Sequence, residues 1–286
     1  MTTHAFASYR RTLRAHPLTA AIELVCRAGY VARGFVYVSI GFIALLAALD
    51  RTPKAQGPMG ALEAWAAWPL GFVLLWLTGA GLYGFAAWRA LQALFDADHQ
   101  GTGWKALASR AGQAISGVVY ASLGLSVFGL LDALEDLREV DDQAKTRESL
   151  AAALAMPGGE LVVIAVGLFV LGVGTGNIWQ AATNDFCRRM SCGRGIRGPV
   201  TLLGRVGYFA RGLAFLPAGG LLVLAGLNAR AGEAQGGLGA ALDALERQPF
   251  GEWILAITAI GLMAFGLFAF AEARYRRMRV DDVVDA

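Results

Sequence analysis

The chain contains six apolar stretches that are each long enough to cross a lipid bilayer. They cover approximately residues 29–49, 69–91, 111–131, 160–182, 206–227 and 251–271. A bilayer core about 30 Å thick needs roughly 20 helical residues, because only a helix satisfies its own backbone hydrogen bonds in lipid. None of the stretches has the sustained alternation of a membrane-barrel strand. The sequence therefore predicts an all-α integral membrane protein with six transmembrane helices.

The composition agrees with a membrane location. Hydrophobic residues make up 56% of the 286 residues and charged residues only 16%, whereas soluble chains contain about 25% charged residues. The chain has 37 Gly but only 8 Pro, a bias that differs from those of disordered and collagen-like chains. Disordered proteins, disulfide scaffolds and typical soluble enzymes are therefore excluded.

The distribution of charge predicts how the helices are oriented. Most of the 25 Lys and Arg residues lie in the N-terminal segment, in the connections after the second and fourth stretches, and in the C-terminal tail. The other three connections carry most of the acidic residues. Since Lys and Arg mark the cytoplasmic side, we expect both termini in the cytoplasm. We expect no cleaved signal peptide, because the first apolar run is longer than a signal core of about 7–15 residues.

A sequence motif recurs in the odd-numbered stretches. The fifteen residues that begin at Arg27 align without a gap with those that begin at Arg110 and Arg205. The even-numbered stretches share a weaker pattern, Pro-x-Gly followed by a long polar side chain at Gln92, Gln180 or Glu272. Such periodicity indicates repeated structural units. The chain is therefore predicted to contain a cytoplasmic N-terminal segment (1–19) and three two-helix repeats at 20–98, 99–192 and 193–286, the last with a basic tail.

Each repeat crosses the membrane twice, so every copy enters it with the same orientation. The repeats are thus parallel tandem hairpins, unlike the inverted halves of many transporters, whose substrates bind between oppositely oriented units. Three like-oriented hairpins can close into a pseudo-threefold ring, and the sequence leaves this closure open.

Glycines lie on one stripe of each odd-numbered helix, at steps of three and four residues. The stripe contains Gly34, Gly41, Gly117, Gly124, Gly212 and Gly219. Small residues let membrane helices approach closely and gain van der Waals contact. We expect this stripe to be a helix-packing seam in all three repeats.

Cationic and aromatic side chains on the same helices are candidate contacts to an anion or a lipid headgroup. They are Arg27, Tyr30, Arg33, Arg110, Arg205, Tyr208 and Arg211. Guanidinium groups bind carboxylates and phosphates in a fork geometry, and tyrosine is common at membrane interfaces. The sequence favours a simpler role, in which these residues anchor the helices and Arg33 and Arg211 extend to the cytoplasmic interface.

The remaining polar residues indicate packing rather than chemistry. Gln92, Gln180 and Glu272 are expected to make interhelical polar contacts, and Thr175 and Asn177 mark the best place for a polar passage. No apolar stretch contains a histidine, and no phosphate loop, dinucleotide fingerprint or nucleophile elbow occurs in its required context. We expect no catalytic residues, no metal, no cofactor and no nucleic-acid partner.

The pattern R-x-G-Y-x-A-R-G-x-x-Y at Arg27 to Tyr37, found more loosely at Arg205 to Phe215, resembles a bacterial membrane family known as domain of unknown function 1206. The resemblance extends over nearly the whole chain, and the middle copy departs from the pattern at Gln113 and Ser116. Members of that family are built from three copies of a two-helix unit, so the resemblance implies the same architecture in the bacterial inner membrane. It implies no activity.

These observations favour a non-enzymatic structural or interaction module that packs with lipid, with a membrane-protein partner or with a second copy of the chain. The alternative is a small transporter or channel for an anionic solute along the pseudo-threefold axis, with the cytoplasmic arginines selecting the anion. A membrane enzyme is the third candidate, because the segment 132–142 is acidic, but a solvated external loop explains that segment better. A polar cavity along the axis would favour transport, whereas an axis filled by aromatic and aliphatic side chains would argue against it.

Overall fold

The computed structural model describes residues 17–52, 56–66, 68–98, 101–135, 142–228 and 237–278. Most of the N-terminal segment, part of the acidic segment 132–142 and the end of the basic tail lie outside these residues. The described residues form the helices α1 (Pro17–Ala48), α2 (Pro58–Glu63), α3 (Gly71–Phe95), α4 (Trp104–Glu135), α5 (Asp142–Ala155), α6 (Gly159–Thr183), α7 (Arg194–Asn228), α8 (Gly237–Glu246) and α9 (Gly251–Tyr275).

Six of these helices are long and apolar enough to cross a membrane: α1, α3, α4, α6, α7 and α9. The prediction of an all-α, multi-pass membrane protein is confirmed. The odd-numbered spans are longer than their apolar runs, since α1 already begins at Pro17 and α7 at Arg194. Proline is well suited to a first helical turn, where its missing N–H leaves no hydrogen bond unmade. The extra turns place Arg33 and Arg211 near the middle of their helices rather than at an end.

Each repeat contributes two long helices to the bundle: α1 and α3, α4 and α6, α7 and α9. The most extensive packing joins helices of different repeats, α1 with α9, α4 with α3 and α7 with α6. The two helices of the first repeat also pack against each other, as do those of the third. Among the described residues, α4 and α6 of the second repeat make almost no close backbone contact. The second repeat is an open hairpin, so the structure does not confirm the pseudo-threefold arrangement.

The glycine stripe lies where helices of different repeats approach each other. A methyl group on Gly34 would lie 2.8 Å from the Gly266 carbonyl oxygen of α9, and one on Gly212 would lie 2.7 Å from the Gly174 carbonyl oxygen of α6. On Gly117 the nearest atom would be 3.2 Å away, so α4 packs on α3 less closely. The other stripe residues face the same neighbouring helices: Gly41, Gly124 and Gly219.

Side-chain size explains why only the second hairpin is open. In the first and third repeats a small residue of each helix meets a small residue of the other, whereas the second repeat has two large residues there. The three pairs are Ala32 with Gly81, Ala210 with Gly261, and Ile115 with Phe169. A side chain on Gly112 of α4 would meet no atom within 4 Å, whereas Gly29, at the same repeat position, lies against the backbone of Phe85.

Candidate functional site

Arg33 lies in the interior of the bundle with only 2% of its surface exposed. Its Nη2 donates a hydrogen bond to Glu272 Oε2 at 2.9 Å. Its Cζ lies 5.0 Å and 4.8 Å from the ring centroids of Phe85 and Phe265, which is cation–π geometry. The Arg33 side chain is therefore buried between helices, and the expected location of Arg33 at the membrane interface stays a prediction.

The Arg33–Glu272 pair is part of a larger network at one end of the bundle. Arg276 donates to Glu272 at 2.8 Å and to the two Asp98 carboxylate oxygens at 3.1 and 3.2 Å. Gln92 of α3 donates to Asp98 at 2.6 Å. Burial alone would lower the pKa of Arg276, but Tyr30 and the two carboxylates outweigh burial, and the pKa is raised above its usual value. The network therefore joins α1, α3, α9 and the turn after α3 through ion pairs and hydrogen bonds.

Arg27 and Arg110 bind the ends of neighbouring helices. Arg27 Nη1 donates to the Ala273 carbonyl oxygen near the end of α9, and Arg110 Nε donates at 2.7 Å to the equivalent Ala93 carbonyl oxygen of α3. Carbonyls in the last turn of a helix have no partner within the helix. These two arginines therefore join neighbouring helices, while Arg205 is exposed on α7. Their anchoring at the membrane interface stays a prediction.

Tyr30 and Tyr208 pack inside the bundle. The Tyr30 ring is fully buried, and its hydroxyl accepts a hydrogen bond from Trp88 Nε1 at 3.0 Å. The Tyr208 ring is partly buried and lies 5.2 Å, centroid to centroid, from both Phe186 and Phe265. These contacts give both rings a role in helix packing.

The three polar residues near the ends of the even-numbered spans differ in their contacts. Glu272 reaches Arg33 on another helix. Gln92 binds the turn that follows its own helix, and Gln180 Oε1 accepts a bond of 3.4 Å from Asn184, one turn further along the chain. The ion pair between α9 and α1 therefore has no counterpart between Gln180 of α6 and α7.

A cavity of about 440 Å³ lies between the second repeat and the rest of the bundle. Its walls come from α1, α4, α6 and α7, and residues of α2 and α8 line one end. Most lining side chains are apolar, and Arg211 is the only charged residue among the described residues that line it. Arg211 and Leu222 on α7 both line the cavity, and their separation of eleven positions along the helix corresponds to about 16 Å. The cavity is therefore elongated, with its one charge away from the end formed by α2 and α8.

The cavity occupies space that aromatic side chains fill elsewhere in the bundle. The first and third repeats have two buried aromatic residues on their even-numbered spans, and the second repeat has a small residue at both positions. The three pairs are Phe85 with Trp88, Phe265 with Phe268, and Val173 with Gly176. Val173 lines the cavity, and a side chain on Gly176 would meet no atom within 4 Å. Because Ile115 and Phe169 keep α4 and α6 apart, the absence of the two aromatic rings leaves the space between the helices unfilled.

Arg211 is partly buried and has aromatic neighbours. Its Cζ lies 4.7 Å from the ring centroid of Phe215 and 5.0 Å from that of Phe265. Its buried Nε has no hydrogen-bond partner, and no carboxylate among the described residues pairs with it. A buried cation without an acceptor is unfavourable, so this guanidinium has unused capacity for an anion.

The residues expected to mark a polar passage lie elsewhere. The Thr175 hydroxyl donates to the Leu171 carbonyl oxygen of its own helix at 2.9 Å, and the Thr175 side chain is exposed. Asn177 is buried, but neither residue lines the cavity. The cavity that the structure contains is instead mainly apolar.

Two cysteines are joined in the connection between α6 and α7. Cys187 and Cys192 form a disulfide, whereas Cys26 is a buried free thiol. The sequence predicted a cytoplasmic location for this connection. Because disulfides are rare in the reducing cytoplasm, the bridge disagrees with the predicted orientation. Within the described ranges, no group of three His, Cys, Asp or Glu could hold a metal ion.

Arg211 was among the candidate residues predicted from the sequence, but the cavity around it, which Tyr37, Tyr120 and Val173 line, was not predicted. The sequence pattern that indicates the cavity lies in the differences between the repeats. A position-by-position alignment of the even-numbered spans shows that α6 alone has Val173 and Gly176 where the other two have aromatic residues.

Comparisons with known proteins agree with the repeat structure. A family model described as Domain of Unknown Function (DUF1206) matches the chain three times, at residues 28–96, 111–184 and 206–276. The three matches confirm the tandem repeats. An uncharacterized protein YxxB of Bacillus subtilis (strain 168) is 29% identical over 266 residues, which cover 88% of this chain and 90% of the relative. No solved structure matches the chain.

Proposed function

The chain belongs to the Domain of Unknown Function (DUF1206) family, and from this membership and the cavity we propose that it is a non-enzymatic, lipid-binding interaction module of the bacterial inner membrane. The observation that carries the proposal is the apolar cavity of about 440 Å³ between α4 and α6. This volume lies within the range of about 300–1,000 Å³ that is usual for small-molecule sites.

Access from the bilayer supports a lipid as the ligand. The helices α4 and α6 form two walls of the cavity without packing on each other. Their outer faces carry exposed large apolar side chains, among them Val118, Leu125, Leu161 and Leu168. Exposed apolar surface of this extent suits contact with lipid tails, so an acyl chain can reach the space between the two helices from the membrane.

The competing function is transport of an anion along the centre of the bundle. The rings of Phe85 and Phe265 pack around Arg33 there, together with Tyr37 and Tyr120. Because these side chains fill the centre, lipid binding at the side cavity is the better-supported function.

Lipid retention during purification tests the proposal. We expect the protein purified in mild detergent to keep a bound lipid, detectable by native mass spectrometry, and Val173→Phe to lose it because the added ring fills the cavity. The matched control is Val166→Phe, the same change on an exposed part of α6, which should keep the lipid. If the wild type retained none, or Val173→Phe retained as much as the control, the proposed function would be wrong.

The charge distribution further supports a cytoplasmic location for both termini. In that orientation Cys187 and Cys192 face a reducing compartment, which keeps thiols reduced. We therefore expect the disulfide of the structure to be open in the cell, and both thiols to react with a maleimide that is added at lysis without reductant. A reporter that is active only in the cytoplasm should be active when it is fused to the C-terminus. An inactive reporter together with bridged, unreactive cysteines would mean that the orientation is the reverse of the predicted one.

A further inference from the structure

We propose that the ligand of the cavity is a single-chain amphiphile with a carboxylate head, and that the carboxylate pairs with Arg211 while the alkyl chain extends toward Leu222 and Leu238. This inference rests on the proposed lipid-binding function and goes beyond it.

The charge of the cavity lining favours an anionic head group. Arg211 is the only charged residue among the described residues of the lining, and it has no acidic partner. A carboxylate supplies one negative charge and two acceptor oxygens, which match the fork of a guanidinium. One guanidinium is therefore neutralised by one carboxylate, with no further cation required.

Other donors lie near the same part of the cavity. Tyr37, Ser116 and Tyr120 line it, and Ser116 occupies the repeat position that Arg33 and Arg211 occupy in the other repeats. Hydroxyl groups donate hydrogen bonds to an anion. The part of the cavity at this level of the bundle is therefore suited to a charged head group.

The shape of the cavity selects a single chain. About 16 Å separates Arg211 from the level of Leu222 along α7, and half of a bilayer core about 30 Å thick is close to this length. The far end is formed by Met59, Leu222 and Leu238, with Ser126 of α4 at about the same level, and none of these side chains carries a charge. One acyl chain of ordinary membrane length therefore fits with its terminus at this uncharged end.

The bundle also contains a carboxylate bound to an equivalent arginine. Arg33 pairs with Glu272 of α9, and the corresponding residue of α6, the helix packed on α7, is Gln180. An amide carries no charge, so the third repeat keeps the arginine and lacks the acid. The ligand would supply to Arg211 the carboxylate that Glu272 supplies to Arg33.

Binding of oleate and of oleyl alcohol to the purified full-length protein tests the inference. The two probes share an alkyl chain and differ in head-group charge. We expect wild-type protein to bind oleate more tightly, and Arg211→Gln to weaken oleate binding by roughly tenfold to a hundredfold, the range for a hydrogen bond to a charged group, without changing alcohol binding. The matched control is Arg205→Gln, an exposed arginine on the same helix, which should bind both probes as the wild type does.

Three results would overturn the carboxylate assignment. One is equal oleate binding by Arg211→Gln and the wild type, and another is equal affinity of the wild type for both probes. The third is Arg211-dependent displacement of oleate by phosphatidylglycerol at equal concentration, which would assign a phosphate head instead. All three leave lipid binding itself intact, whereas failure of the wild type to bind either probe would contradict the proposed function. Should Arg211→Gln fail to elute as a folded protein, Arg211→Lys keeps the charge, loses the fork and should show an intermediate loss.

Discussion

Arg33 and Arg211 stand at the same position of the first and third repeats, yet their surroundings differ. Arg33 lies over the ring of Tyr30, three residues before it, and pairs with Glu272. Arg211 lies over the ring of Phe215, four residues after it, and lines the cavity. The first guanidinium is part of a closed ion-pair network, whereas the second faces space that a ligand can occupy.

The difference follows from the helix that each arginine faces. The packing of α1 on α9 and that of α7 on α6 share one register, since Gly34 meets Gly266 and Gly212 meets Gly174. In this register Gln180 corresponds to Glu272. Arg211 therefore has the position of Arg33 but faces a helix that lacks the acid. Similar repeats can thus contain a structural ion pair in one copy and a binding group in another.

Substitution of each arginine by methionine gives the largest expected contrast. Arg33→Met leaves Glu272 buried with Arg276 as its remaining partner, and we expect the free energy of unfolding to fall by about 3 kcal/mol, the lower end for breaking a buried pair. Arg211→Met removes a cation that has no acidic partner, so the stability of the ligand-free protein should be unchanged or higher. Thermal unfolding in one detergent, without added lipid, measures both.

A double variant checks the cause of the Arg33 effect. Arg33→Met combined with Glu272→Leu should lose less stability than the sum of the two single changes, because the two residues interact directly. If Arg33→Met and Arg211→Met lost equal stability, the two arginines would have the same structural role and the comparison would fail.

The architecture was predictable because it depends on local patterns. Span length and the glycine stripe can both be read from nearby residues, and six spans in three repeats are what the structure and the family matches contain. The burial of Arg33 was not predictable from its apolar run, because α1 extends through polar residues to Pro17 and Glu272 lies on another helix. The cavity depends on Ile115, Phe169 and Val173, which act together only once α4 and α6 are placed in the bundle.

A pair of glycine substitutions tests why only Arg211 has a cavity beside it. Gly29 and Gly112 share a repeat position, but only Gly29 lies against another backbone. Gly29→Ala should lower the free energy of unfolding by about 1–3 kcal/mol through overpacking. Gly112→Ala should raise it by up to about 1 kcal/mol, because alanine favours helix and meets no neighbour.

Thermal unfolding of both variants under one condition provides the measurement. The control is Gly207→Ala, because Gly207 lies against the backbone of Phe265 in the third repeat and should behave as Gly29 does. A loss for Gly112→Ala as large as that for Gly29→Ala would mean that the second hairpin is closed in the membrane, and the explanation for the cavity would then be wrong.

The smallest effect on stability, and the most direct test of the comparison, is expected from Gln180→Glu. This change gives Arg211 the acid that Arg33 already has, at the same place in the helix packing. The gain from the new ion pair and the cost of burying a second charge should nearly cancel, so we expect the free energy of unfolding to change by less than about 1 kcal/mol. Oleate binding should weaken because Arg211 is neutralised within the protein, whereas oleyl alcohol binding should not change because the volume of the cavity is kept.

Thr183→Glu adds the same charge to an exposed site on the same helix and controls for general repulsion of the anion. Equal oleate affinity in Gln180→Glu and Thr183→Glu would show that the absence of an acid at position 180 is not what leaves Arg211 open to a ligand.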